Sequence, residues 1–202
     1  VVAAGLRATA ALGLALLAGV LAACAGSRSD RALPADAGEP VLYVALGDST
    51  VEGVGASRPE LNYVSRLHQR LRTAYPAARV ENLGQGGATS GDVARRQLGR
   101  AVELRPHLVT LSVGPNDITG RVGVEQFERH LDTILSTLAR QTRAAVVVSL
   151  LPDLAVTPRF RGRPQQEVVG RLTVRFNDAL RRAARDHGAD VVDLYAPSQA
   201  EV

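Results

Sequence analysis

From Val41 onward, apolar runs alternate with helical repeats. Val41–Leu46 is a continuous apolar stretch closed by Gly47, the pattern of a buried strand. Leu61, Val64, Leu67 and Leu71 then recur at helical spacing, which predicts a helix over about 60–74, stopped before Pro76. Arg79–Leu83 reads as a second strand. Ser90 is expected to cap a helix over 91–104, which ends before Pro106. Leu108–Val113 is a third strand. Val122–Arg140 is an amphipathic helix with Val124, Phe127, Leu131, Ile134, Leu135 and Leu138 on its inner side. Ala144–Leu151 is apolar at nearly every position, as in a strand covered on both faces. Gln165–His187 is a further helix and Ala189–Leu194 a fifth strand. Five strands separated by helices predict an α/β protein, a three-layer sandwich around a five-stranded parallel sheet.

Ahead of this domain the pattern changes. Residues 1–23 are almost all Ala, Leu, Gly and Val, and Arg7 is the only charge before Arg28. The run from Ala8 to Ala23 is short for a membrane-spanning helix, which needs about 20 residues, and suits the hydrophobic region of a signal peptide. It ends Leu21-Ala22-Ala23-Cys24, and Cys24 is the only cysteine. This ending resembles the lipobox of bacterial lipoproteins. The resemblance implies lipidation of the Cys24 sulfur, cleavage before it, and a membrane-anchored protein on the extracytoplasmic side of a bacterial envelope. Residues 24–40, small, polar and Pro-containing, read as a flexible tether, with the folded domain expected over 41–202.

Composition adds exclusions. All 24 basic residues are Arg, against 20 acids, for a net charge of +4. The arginines are scattered among acids, and aromatics are only 3%, which argues against a nucleic-acid partner. The chain has no Met, so its true start is open.

Ligands of parallel sheets bind beyond the carboxyl ends of the strands. There the first strand is followed by Gly47-Asp48-Ser49 and the second by the glycine-rich turn Asn82-Leu83-Gly84-Gln85-Gly86-Gly87-Ala88-Thr89-Ser90. The third is followed by Gly114-Pro115-Asn116-Asp117. A hydroxyl, bare backbone N–H groups and a side-chain amide thus meet at one rim, the set that acyl transfer needs. Asp48 reads as a brace of its turn and Asp117 as a helix cap or loop brace, with catalytic roles as the alternative. The turn at 84–87 lacks the G-x-G-x-x-G spacing and the Lys of a phosphate loop, which weakens a nucleotide-binding reading. Arg159, Arg161 and Arg163 read as a solvated loop, or as a contact for an anionic substrate.

These three ordered blocks resemble those of the SGNH, or GDSL-type, hydrolases, over about Val41 to Leu194. The resemblance implies a flavodoxin-like fold and a serine esterase or lipase that uses neither metal nor cofactor. It would act on a small-molecule, glycan or lipid ester. Ser49 would be the nucleophile. The N–H groups of Ser49 and Gly87 and the amide of Asn116 would form the oxyanion hole. The family's D-x-x-H, which supplies the base, does not occur in the 202 residues. The expectation is that the segment carrying it is missing, so that the chain as given is impaired. The alternative is a non-catalytic binding lipoprotein on a degenerate SGNH fold. His107 and His187 precede strands and fall at the opposite rim; His68 and His130 lie within helices.

Overall fold

The computed structural model describes residues 31–200. The leader and Cys24 lie outside the described residues. Five parallel strands run in the order β2-β1-β3-β4-β5. They are β1 Leu42–Gly47, β2 Arg79–Asn82, β3 Leu108–Ser112, β4 Ala145–Ser149 and β5 Asp190–Val192. Every predicted strand is present, with ends shifted by a residue or two. The helices are α1 Ser49–Glu52, α2 Tyr63–Ala74, α3 Ser90–Asp92, α4 Leu98–Glu103, α5 Pro115–Thr119, α6 Val124–Gln141, α7 Gln166–His187 and α8 Tyr195–Ala200. A π-helical turn, Val93–Gln97, joins α3 to α4.

The start of α2 shows how the sequence sets a boundary. The helical repeat begins at Leu61, but Pro59–Leu61 forms only a 3-10 turn. Asn62 then accepts the Ser65 N–H on its side chain at 2.7 Å, and this cap opens the α-helix proper.

The two faces of the sheet are covered unequally. On one face Phe127, Leu131, Ile134 and Leu138 of α6 and Phe176 and Leu180 of α7 pack with Val93, Leu98 and the strands in the larger core. The Phe127 and Phe176 rings meet with centroids 4.4 Å apart. On the other face, Val51, Val64 and Leu71 of α1 and α2 cover Val41, Tyr43 and Ala45. Beyond β3 that second face is thinly covered. Only Val146 and Val148 of β4 are buried, while Ala145, Val147 and Ser149 are partly exposed. The sequence predicted β4 buried on both sides. That expectation is corrected, because among the described residues no helix covers the second face there. In β5, Val191 and Val192 are exposed.

Residues 31–40 contain no helix or strand. They lie on the domain nonetheless: the Arg31 guanidinium donates to the carbonyls of His187 (3.1 Å) and Ala139 (2.9 Å), and Tyr75 Oη donates to Pro34 O at 2.8 Å.

Candidate active site

β1 and β3 are neighbours whose following connections lead to opposite sides of the sheet, so the crevice between their carboxyl ends is a topological switch point. Gly47, the last residue of β1, pairs with Ser112, the last of β3. Gly47 must be glycine: its φ is +148°, and a Cβ there would lie 1.9 Å from Ser112 O. The chain then turns into α1. Asp48 is the N-cap, and its Oδ1 accepts the Thr50 N–H at 2.9 Å. Asp48 therefore braces the turn. Its burial holds the carboxyl above its ordinary value, against the bonds from Thr50. Ser49, half-buried, is the first residue of the helix. Its backbone N–H is one of the donors that a helix start leaves without an intrahelical acceptor. Among the described residues neither that N–H nor the Ser49 hydroxyl has a hydrogen-bond partner.

The loop after β2 lies against α1. A Cβ on Gly84 would come within 2.6 Å of the Glu52 backbone nitrogen, and one on Gly86 within 2.8 Å of Glu52 Oε2. Gln85 N–H donates to Gly47 O at 3.1 Å. Gly87 has φ +77° and open space at its Cβ position. Its N–H is unspent among the described residues, and so is that of Gly86.

Asn116 follows Pro115, which opens α5. Its Nδ2 donates to Ala88 O at 3.0 Å, so one amide hydrogen ties α5 to the glycine loop and the other is unspent. A second tie is fully buried. Ser90 donates to Asp117 twice, from N–H (2.9 Å to Oδ2) and from Oγ (2.6 Å to Oδ1). Asp117 is thus a brace between loops, one of the two readings its position allowed. It is not a helix cap, since Gly114 occupies that position. Burial raises its carboxyl, opposed by the Ser90 bonds and the nearby His130.

Ser90 is not the cap predicted for it. Thr89 caps α3 and forms a reciprocal box with Asp92. Ser90 Oγ instead meets His130 Nδ1 at 2.8 Å. Gln126, whose Oε1 accepts from Arg129, points its amide at His130 Nε2, 2.6 Å away. With the Ser90 hydroxyl donating to Asp117, His130 Nδ1–H is the donor in its contact with Ser90 Oγ.

Gln97 was missed by sequence reasoning. Its buried amide accepts the Gly47 N–H at 2.9 Å and donates to Gly47 O at 2.8 Å, clamping the peptide ahead of Ser49. One signal was available: Gln97 shares a helix face with Val93 and Ala101, both fully buried, a polar residue where the pattern calls for an apolar one.

The remaining histidines bond elsewhere. His68 Nε2 meets Ala78 O at 3.0 Å, His107 Nδ1 accepts the Leu42 N–H at 3.1 Å, and His187 Nε2 meets Asp132 at 2.8 Å. Among the described residues no group of three or more His, Cys, Asp or Glu is placed to hold a metal ion. No described helix is long and apolar enough to cross a membrane.

This is a doubly wound α/β protein with a serine, open N–H groups and an amide gathered at its switch point. The chain belongs to the GDSL-like lipase/acylhydrolase family, whose profile matches residues 45–201. Comparison with curated proteins finds no match. Among solved structures it is similar to an alpha/beta hydrolase enzyme from the metagenome of Lake Arreo, Spain, at 23% identity and a TM-score of 0.64, covering 80% of each chain. It is similar to the SGNH-hydrolase family esterase AlinE4, at 22% identity and a TM-score of 0.62, over 77% of this chain and 76% of that one. It is also similar to the acetylxylan esterase Axe2 of Geobacillus stearothermophilus, at 19% identity and a TM-score of 0.64, over 81% and 80% of the two chains. At these identities the likeness establishes the fold.

Proposed function

We propose that this protein is a serine esterase that cleaves a carboxylic ester through an acyl-Ser49 intermediate. The observation that carries the reading is that Ser49, the glycine loop and Asn116 leave the same end of the sheet, joined by the Gln85–Gly47 and Asn116–Ala88 bonds, with N–H and amide donors unspent. Ser49 Oγ attacks the ester carbonyl. The Ser49 and Gly87 N–H groups and the free amide hydrogen of Asn116 receive the oxyanion, the Ser49 proton passes by way of a base to the departing alcohol, and water then attacks the acyl-Ser49 ester to release the acid. Each such donor is worth about 3 kcal/mol of barrier, or roughly 100-fold in rate. Asn116→Ala should therefore lower kcat on a p-nitrophenyl ester by about 100-fold or more with the fold unchanged. An unchanged kcat would remove Asn116 from the mechanism.

The attack needs a base for the Ser49 proton, and none of the four histidines bonds toward Ser49. The family's D-x-x-H would supply one. Weak turnover is accordingly the outcome for residues 24–202 alone, rising by orders of magnitude when a segment carrying D-x-x-H is appended. The engagement of all four histidines elsewhere is what favours the second reading, a binding lipoprotein on a degenerate fold. A folded, extended chain that gains no activity would select it.

The substrate is an ester of a small molecule, a glycan or a lipid; Axe2 is named for acetylxylan, which places glycan esters among the first to assay. We place the protein on the bacterial envelope, lipidated at Cys24 with residues 24–30 as its tether, on the strength of Leu21-Ala22-Ala23-Cys24. Cys24→Ala should abolish lipid labelling and partition into detergent. A mature N-terminus well downstream of Cys24 would exclude the anchor.

A further inference from the structure

A cleft of about 410 Å³ opens between α5 and the N-terminal half of α7. Its size is that of a small-ligand site. Ile118, Phe160, Val168 and Leu172 give it an apolar lining, and Val168 is 48% exposed at its rim. No carboxylate lines it, whereas Arg121 and Arg159 do. Neither arginine forms an ion pair among the described residues. Farther along α7, by contrast, Arg171, Arg175, Arg181, Arg182 and Arg185 each meet a carboxylate. The cleft thus holds uncompensated positive charge beside apolar surface.

Two further observations point the same way. Arg159 Cζ lies 5.4 Å from the centroid of the Phe160 ring, which holds the guanidinium along the apolar wall. Arg121 has φ +60°, a conformation that favours glycine, at the turn closing α5. Both arginines thus stand on the cleft wall without a carboxylate partner among the described residues. One wall belongs to Ile118 and Thr119 of α5, the five-residue helix that carries Asn116.

We propose that this cleft receives one arm of the ester, and that the arm is an anionic amphiphile: a short hydrocarbon stretch ending in a carboxylate or phosphate. This rests on the esterase reading above. The hydrocarbon lies along Val168, Leu172 and Phe160, and the anion reaches Arg121 and Arg159.

Binding of hexanoate, hexyl phosphate and hexanol to the full chain, by calorimetry at two salt concentrations, tests it. At least one anion should bind about tenfold or more tightly than hexanol, less so in high salt, and which anion binds identifies the head group. Arg159→Gln and Arg121→Gly should each weaken that binding about fivefold or more. Arg121→Gly should also hold or raise Tm, because it relieves the positive φ. Val168→Asp should abolish binding of the anions, and Arg171→Gln, outside the cleft, should leave it unchanged. A fluorophosphonate with an anionic tail should label Ser49 faster than its neutral counterpart, and the Arg variants should erase that preference. Equal binding of hexanol and the anions, or binding indifferent to both Arg variants, overturns the proposal. So does anion binding in the cleft with no tail preference at Ser49. Cleft binding together with no Ser49 adduct from any probe would instead overturn the esterase reading.

Discussion

At the scale of single residues, buried polar groups place the site, and each makes a checkable demand. Gln97→Leu leaves the Gly47 N–H buried without its acceptor, at a cost of about 1–3 kcal/mol. A urea titration should show that loss, with any loss of activity following Ser49's position. Tyr63 is the opposite case, since its buried hydroxyl has no partner. Tyr63→Phe should be neutral or stabilising by up to about 1 kcal/mol. Burial pushes the Tyr63 hydroxyl up to about 12, so the variant should also lose one tyrosinate titrating in that range. Asp117 fixes a pH dependence. Its carboxyl is raised above 3.8, so above that pH the folded chain holds the proton more tightly than the unfolded one. Wild-type stability should fall relative to Asp117→Asn as pH rises from 3.8 through the raised value, then level off. Asp92, lowered by its bonds from Thr89, has the opposite sign: its contribution is present above 3.8 and lost as pH falls through the depressed value. The Asp117 prediction is checked by Tm against pH for both proteins, and a parallel pair of curves would contradict it. The sequence marked Ser49, Gly87 and Asn116 as candidates because they stand in the turns after the first three strands, where the family resemblance assigns them roles. Gln97 to Gly47 and Ser90 to Asp117 were not legible, since each pair joins different loops and only tertiary packing brings it together.

At the scale of elements, the glycines separate by what surrounds them. Gly47→Ala places a Cβ against the Ser112 carbonyl, so the end of β1 must shift and folding should be severely impaired. Gly87→Ala meets no atom within 4 Å and bears only the strain of φ +77°, about 1–2 kcal/mol. It should fold, which makes it a usable probe of the loop. Gly99 in α4 has neither a close neighbour nor a positive φ, and Gly99→Ala should stabilise the protein by about 0.5–1 kcal/mol. Thermal melts of the three order these effects, and a Gly47→Ala protein as stable as wild type would contradict the packing at the strand end. Helical spacing correctly gave one helical stretch over 91–104 but not the π turn inside it. That turn includes Gln97, and such irregularities often mark functional positions. For β4 the pattern misled, because an apolar run reads the same whether one face is covered or two.

At the scale of the whole molecule, strand order carries Ser49 and Asn116 to one crevice. β1 and β3 are adjacent, so Ser49 and Asn116 leave neighbouring strand ends, and the glycine loop after β2 folds back between them by its bonds to Gly47 and Asn116. The α/β class and all five strands could be read from alternation, while the order β2-β1-β3-β4-β5 is seen only in the structure. The unequal cover of the two faces could not be read, since it depends on which helix packs where. The proposal that Ser49 is a nucleophile facing this donor set is tested most directly by a fluorophosphonate followed by peptide mass mapping. A single adduct on the Ser49 peptide is predicted, absent in Ser49→Ala and formed about 100-fold more slowly in Asn116→Ala. A folded protein that forms no adduct on long incubation, or one labelled equally well without Ser49, would contradict it.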